Sequence, residues 1–163
     1  MVLMGVAGCG KSSVGAALAT RLGATYIDGD DLHPPANIEK MSRGVALNDD
    51  DRWPWLTLVG QALADGEGRR IIGCSALKRA YRAHITQTTE APVTFIHLAG
   101  TPDVIKARMS TRQGHFMPAG LLASQFAALE PAETDENAIS VDIDRPLAAI
   151  VDAIVAQLGG MER

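Results

Sequence analysis

The chain of 163 residues carries a net charge of −4, and 47% of its residues are hydrophobic, 21% charged and 4% aromatic. This length predicts a single domain with a sizeable core, while the acidic balance and the few aromatic residues argue against nucleic acid as a partner. No apolar run approaches the length of a membrane span, and two cysteines are too few for a disulfide framework, so we expect a cytoplasmic protein that does not bind membranes.

The first predicted strand and helix flank a glycine-rich loop. Residues 2–4 predict a short buried strand, and apolar residues recur at helical spacing over residues 14–22. Between them, residues 5–12 match the phosphate-binding loop pattern, in which backbone N–H groups surround an anion and the lysine reaches the β- and γ-phosphates. The loop predicts the use of ATP and Mg²⁺. The residues of the loop expected to bind ATP are Gly8, Cys9, Gly10, Lys11, Ser12 and Ser13, of which Lys11 is also catalytic and Ser12 is also a ligand of Mg²⁺. Two arginines further along the chain, Arg108 and Arg112, are also expected to bind ATP.

The second predicted strand, residues 25–27, ends in an acidic cluster. Side chains beyond the carboxyl ends of parallel strands commonly form the active site of an open α/β sheet. We therefore predict that Asp30 acts as a general base or orienting group for an acceptor hydroxyl. Asp28 is predicted to orient a metal-bound water, because the next strand, residues 69–75, carries no acid that could hold Mg²⁺. A polar turn with helix-capping aspartates is the alternative, and it is favoured for Asp31.

Residues 30–66 predict a helical insertion without a sheet strand, in which Pro54 suits the first turn of a helix. Arg52 from this insertion joins a first basic set that also contains Lys78 and Arg82. The last two residues are four apart on a predicted helix and therefore share a face. Such a set can bind an anionic acceptor group, for instance a carboxylate. A solvated helix face is the alternative.

A second basic pair, Arg108 and Arg112, is also four residues apart, on a helix that a glycine interrupts. We predict that residues 108–120 form a lid, which would exclude water so that a phosphoryl group reaches a substrate hydroxyl. Residues 93–98 and 139–143 predict the fourth and fifth strands, and Pro146 begins a final helix. Strands that alternate with helices predict an α/β fold, a parallel sheet covered by helices on both faces.

Several segments together resemble the bacterial gluconate kinases (gluconokinases). The matching segments lie at residues 28–41, 47–56, 74–78, 81–82, 112–117 and 141–147. The resemblance implies ATP-dependent phosphorylation of D-gluconate at its 6-hydroxyl, which yields 6-phosphogluconate and ADP. It also implies a shikimate-kinase-like P-loop sandwich with strand order 2-3-1-4-5, and a homodimer.

The resemblance also implies roles for individual residues. Gly8, Gly10, Lys11 and Ser12 match the ATP loop, Asp30 matches the acid on the substrate side, and Arg108 and the catalytic Arg112 match the lid. Gluconate is a monoanion with many hydroxyl groups, so its site needs a cation and several hydrogen-bonding side chains. The residues predicted to bind it are Asp30, His33, Asn37, Arg52, Lys78, Arg82 and His115.

Two other functions remain open on the sequence. A shikimate kinase or a nucleoside monophosphate kinase would share the loop and the lid, although neither is expected to carry the segments at residues 33–41 and 48–55. A nucleotide-binding switch without a small acceptor is the second alternative. The chain has no Asn-Lys-x-Asp pattern for guanine recognition, and its two basic sets favour a kinase.

Overall fold

The computed structural model describes residues 1–111 and 119–161. Over these two ranges, no helix is both long and apolar enough to cross a membrane. The predicted catalytic and substrate roles of Arg112 and His115, and most of the predicted lid, lie outside the described residues.

A parallel sheet of five strands forms the centre of the protein, in the order β2-β3-β1-β4-β5. This order confirms the predicted 2-3-1-4-5 topology. The strands are β1 (Val2–Met4), β2 (Thr25–Asp28), β3 (Arg70–Gly73), β4 (Phe95–Ala99) and β5 (Ala138–Asp142). In the register of the sheet, Leu3 of the central strand pairs with Gly73 on one side and Ile96 on the other.

Helices connect the strands. They are α1 (Lys11–Leu22), α2 (Pro35–Ser42), α3 (Asp49–Ala64), α4 (Arg79–Thr89), α5 (Pro102–Ser110), α6 (Ala119–Ala128) and α7 (Leu147–Met161), and a short 3₁₀ helix spans Gly29–Leu32. Between β2 and β3 the chain forms only helices and loops. That segment contains the residues 30–66 that we predict to be an insertion for substrate binding.

Two hydrophobic cores lie on opposite faces of the sheet, because successive side chains of a strand point to opposite sides. Leu3 belongs to one core with residues of α1, α5, α6 and α7, and its neighbours Val2 and Met4 belong to the other core with residues of α3 and α4. We call these the donor-side core and the acceptor-side core. The phosphate loop borders the donor-side core, and the helices α3 and α4 cover the acceptor-side core.

Helix α3 begins earlier than the proline had suggested. Asn48 caps it, and Asn48 and Asp51 form a reciprocal capping box, in which each side chain accepts from the other residue's backbone N–H at 2.9 Å. Pro54 is the sixth residue of the helix, where its missing N–H removes one intrahelical bond and the helix continues past it. The capping box therefore decides where the helix starts, and Asp49 and Arg52 lie on its first turns.

Candidate active site

The phosphate loop joins β1 to α1, and glycine conformations hold its shape. Gly8 and Gly10 have φ angles of 82° and 98°, which residues with a side chain rarely adopt. A Cβ atom at Gly8 would lie 2.7 Å from Cγ of Met109, so α5 packs directly against the loop. Helix α1 follows at once, and the unpaired N–H groups of its first turn favour a bound anion.

The ammonium group of Lys11 lies inside the loop. Its Nζ donates to the carbonyl oxygens of Gly5 at 3.1 Å and Val6 at 3.2 Å. Cys9 donates its own N–H to the same Val6 oxygen at 3.3 Å, and its side chain is buried in the donor-side core. Cys9 thus shapes the loop without offering its thiol to a ligand. Ser13 lies exposed on the first turn of α1, next to Ser12.

Ser12 and Asp28 meet at the carboxyl end of β2. The hydroxyl of Ser12 donates to Oδ2 of Asp28 at 3.2 Å, and Oδ1 of Asp28 accepts from the N–H of Asp30 at 3.0 Å. The ring of Tyr26 packs beneath them, where burial raises the pKa of its phenol. Oη of Tyr26 is buried and has no hydrogen-bond partner within the described ranges. Three oxygen-bearing side chains are therefore grouped at the N-terminus of α1.

Asp30 lies where an acceptor can reach it. Its carboxylate is exposed, but surrounding protein atoms partly desolvate it, and this effect together with the charge of Asp28 raises its pKa. The nearby charges of Lys11 and His33 oppose the rise. A carboxylate with a raised pKa beside a cationic loop suits proton abstraction from a hydroxyl group.

His33 is held in a fixed orientation next to Asp30. Its ring stacks on Trp55 with centroids 4.1 Å apart, and its Nδ1 lies 3.2 Å from Nδ2 of Asn37. Asn37 is buried and also donates to the backbone oxygen of Asp51 at 2.8 Å. Because both contacts of its amide are inside the protein, Asn37 orients His33. Burial lowers the pKa of His33, and Arg52 lowers it further. The negative charge of Asp30 opposes this shift.

A polar cluster joins the start of α3 to the start of α4. Nη1 of Arg52 donates to the hydroxyl of Tyr81 at 2.9 Å, and that hydroxyl donates to Oδ1 of Asp49. Lys78 also contacts both carboxylate oxygens of Asp49, at 3.2 and 3.3 Å. These two partners lower the pKa of Asp49, while the bond to Asp49 raises that of Lys78. Sequence reasoning did not assign a role to Tyr81, which lies on the first turn of α4, while Lys78 caps that helix.

Arg82 is not part of this cluster, contrary to the prediction. Only 1% of its side chain is exposed, and its Nε and Nη2 bind the two carboxylate oxygens of Glu136 at 2.6 and 2.9 Å. Nη1 donates at 3.2 Å to the carbonyl oxygens of Ala76, Leu77 and Glu130. With its donors used inside the protein, Arg82 fastens the connection between α6 and β5 to α4. The prediction that Lys78 and Arg82 share a helix face is wrong, because Lys78 is the N-cap of α4 with an extended backbone and only Arg82 lies on the helix.

Replacing Arg82 by leucine is expected to destabilise the protein by about 3 kcal/mol, because it leaves the mostly buried Glu136 without its partner. Glu136 has a pKa that Arg82 lowers, so the stabilisation exists above the unfolded-state pKa and is lost as pH falls through the folded-state value. Urea unfolding at pH 7 and at acidic pH measures both effects. The control is Arg79→Leu, whose partner Asp135 is 65% exposed and which should destabilise the protein far less. Equal losses would contradict this assignment.

Arg108 lies between the phosphate loop and the connection from β5 to α7. Its Nη2 donates to the backbone oxygens of Ile143 and of Arg145, the latter at 3.3 Å. Its Nη1 lies 3.5 Å from the position of a Cβ atom added to Gly10. A cavity of about 450 Å³ adjoins this arginine. The cavity is lined by Asp103, Val104, Ala107, Arg108, Thr111 and Asp144.

The sheet order, the phosphate loop and the groups that face it define the class of the protein. The shikimate kinase family matches residues 7–120, which makes the protein a P-loop kinase that uses a nucleotide. More specific relatives narrow this class. The gluconokinase of Gluconobacter oxydans is 43% identical over 159 residues, which cover 95% of this chain and 88% of that protein. The thermosensitive gluconokinase of Escherichia coli K12 is 44% identical over 155 residues, which cover 93% of this chain and 82% of that protein. The chain belongs to the gluconokinase family.

A solved structure agrees with this placement. The gluconokinase from Sinorhizobium meliloti 1021 superposes with a TM-score of 0.91 at 46% identity, covering 98% of this chain and 91% of that one. The predicted family and fold are thereby confirmed. The alternative of a shikimate kinase or nucleoside monophosphate kinase has less support.

Proposed function

We propose that the protein transfers the γ-phosphoryl group of ATP to the 6-hydroxyl of D-gluconate. The observation that carries this proposal is the position of Asp30 on the short 3₁₀ helix that links Asp28, the hydrogen-bond partner of Ser12, to His33. The charges of both Lys11 and His33 act to lower the pKa of Asp30, so its carboxylate is close to both residues. A carboxylate so placed can face an acceptor hydroxyl and the donor phosphate together.

The chain's own residues supply orientation and charge for the reaction. Lys11 and the N-terminus of α1 hold the donor phosphates and stabilise the charge that develops on them. Asp30 accepts the proton of the acceptor hydroxyl as that oxygen bonds to the γ-phosphorus. The bond from the γ-phosphorus to the bridging oxygen breaks, and ADP leaves. We further propose, from the resemblance, that Arg112 stabilises the transferred group, that His115 contacts the substrate and that residues 108–120 act as a lid.

We also propose that Mg²⁺ is held by Ser12 and, through water, by Asp28. The fit is supported by the 3.2 Å separation of Ser12 Oγ and Asp28 Oδ2, because Mg²⁺ prefers oxygen ligands and keeps several waters. The buried Oη of Tyr26 lies beside Ser12 and adds a third oxygen to this environment. When bound, the ion neutralises charge on the β- and γ-phosphates.

Arg52 is the residue that we propose for the gluconate carboxylate. Lys78 shares the cluster, but its charge is already paired with Asp49. Arg52 is half-buried, and among the described residues its hydrogen-bond partner is the neutral hydroxyl of Tyr81. A guanidinium group with donors to spare can bind a carboxylate in a bidentate manner. His33 and the cluster around Tyr81 would then face the hydroxyl groups of the sugar acid.

Replacing Tyr81 by phenylalanine is expected to raise the KM for gluconate about tenfold, since a hydrogen bond to a charged group contributes about 1.5–3 kcal/mol. The KM for ATP should stay unchanged, because the hydroxyl binds Arg52 and Asp49 on the acceptor side. Steady-state kinetics with each substrate varied in turn would measure this. A rise in the KM for ATP alone would contradict the proposed acceptor site.

An ADP-release assay tests the function itself. The protein is incubated with ATP and Mg²⁺ and, in separate reactions, with gluconate, shikimate, AMP or buffer. We expect turnover with gluconate well above the buffer rate. Turnover confined to shikimate or AMP would refute gluconate as the acceptor, and equal release in all four reactions would indicate a nucleotide hydrolase.

The resemblance also leads us to propose a homodimer in the cytoplasm. Sedimentation velocity measures the first property. A single species at the monomer mass over the working concentration range would refute the homodimer.

A further inference from the structure

We propose that Gln125 is a positioning residue that holds the catalytic Lys11 in place through the phosphate loop. Gln125 lies on α6, and its Oε1 accepts a hydrogen bond from the N–H of Ala7 at 2.7 Å. The two residues are 118 positions apart in the chain. This inference rests on the proposed use of ATP at the loop.

The contact acts on one peptide unit. The carbonyl of Val6 and the N–H of Ala7 belong to the same peptide group, which is planar, so a trans unit points them in opposite directions. Lys11 Nζ lies on the carbonyl side at 3.2 Å, and Gln125 lies on the N–H side at 2.7 Å. The glutamine therefore stops this peptide plane from rotating, and the plane in turn supplies one of the two oxygens that hold the ammonium.

The position of this peptide matters for phosphoryl transfer. The lysine of a phosphate loop serves the β- and γ-phosphates, and here its ammonium lies against Gly5 and Val6. The peptide that Gln125 clamps is thus at the part of the loop where the transferred phosphate would lie. Since Ala7 donates its N–H to Gln125, that N–H is not one of the loop's donors to the nucleotide.

Gln125 is not needed to attach α6 to the protein. Leu122 on the same helix is buried with 4% exposure, and Phe126 packs against the same donor-side core. A substitution that removes only the amide oxygen should therefore leave the helix docked. The expected effect is on Lys11 and on the nucleotide, while folding should change little.

The test is a double-mutant cycle with Gln125→Met and Lys11→Met, with ATP affinity measured by titration calorimetry. Methionine keeps the length of the side chain and offers at most a weak acceptor. In the otherwise unaltered protein, Gln125→Met should weaken ATP binding about fivefold and lower kcat about tenfold. In the Lys11→Met background the same substitution should change ATP affinity less than twofold, because residues that act through one another are not additive.

Two controls make the result interpretable. Ser124→Ala, at an exposed position on the same helix, should change neither ATP affinity nor kcat. If Gln125→Met strongly lowers the midpoint of thermal unfolding, Gln125→Asn takes its place in the cycle. Asparagine keeps the amide group but is shorter by one methylene. Additive losses of ATP affinity, or no loss from the glutamine substitutions, would overturn the inference. Failure of the unaltered protein to phosphorylate gluconate would instead refute the proposed function.

Discussion

Replacing Lys11 by methionine is expected to lower kcat by about 10²–10³-fold, the usual loss when one preorganised donor to the developing charge is removed. Methionine retains the length and apolar stem of lysine, so the loop should keep its shape. The ammonium is the cationic group that contacts the loop itself, through the oxygens of Gly5 and Val6. Without it, the negative charge on the β- and γ-phosphates loses its closest counter-charge from the chain.

The experiment compares initial rates at saturating ATP and gluconate. Lys106→Met is the matched control, because it removes the same charge from an exposed position on α5 and should leave kcat within about twofold of the unaltered value. Circular dichroism would establish that both variants fold. A Lys11→Met variant that keeps more than half of its turnover would remove Lys11 from the catalytic role.

Replacing Asp30 by asparagine is expected to lower kcat by about 10²–10⁴-fold, the range over which a positioned general base contributes. Asparagine has almost the same shape but cannot take the proton of the acceptor hydroxyl. The affinity for ATP should stay close to that of the unaltered protein, or rise slightly, because a negative charge near the phosphates is removed. Asp31→Asn, at the exposed next position, is the control and should retain most of the activity.

The pH dependence of the unaltered enzyme gives a second measurement of the same role. Partial desolvation and the charge of Asp28 raise the pKa of Asp30, and only the deprotonated form is a base. As pH falls, kcat/KM for gluconate should therefore decline through a pKa above the usual range of aspartate, which is near 3.9 in model peptides. This acidic limb should be missing from the residual activity of Asp30→Asn. An unchanged limb in that variant would assign the titration to another group.

The donor half of the site could be predicted from the sequence because its information is local. A phosphate loop is one continuous segment, and the residues that shape it, such as Gly8 and Gly10, are defined by their spacing. The strand order came from the family resemblance. It could not come from the periodicity of apolar residues, which identifies strands but does not say which of them are neighbours.

The acceptor half was harder because its contacts join distant segments. Lys78 and Arg82 have the same charge and lie only four residues apart, yet Lys78 pairs with Asp49 and Arg82 is buried against Glu136. The difference depends on which acid the fold brings opposite each side chain, and helix spacing does not contain that information. No role could be predicted for Tyr81 or Gln125 for the same reason, since each makes its main contact with a residue 29 or more positions away.

The two cores on opposite faces of the sheet have a consequence for how such kinases change their substrates in evolution. The phosphate loop is built against one core, and the acceptor groups on α3 and α4 are built against the other. Substitutions that repack the acceptor-side core can reshape the sugar-acid site while the sheet shields the nucleotide half from them. A chimaera that exchanges residues 30–66 and α4 for those of a related kinase is therefore expected to inherit a new acceptor and keep its affinity for ATP. The sheet thus separates the nucleotide half of the site from the acceptor half, so that each half can change without the other.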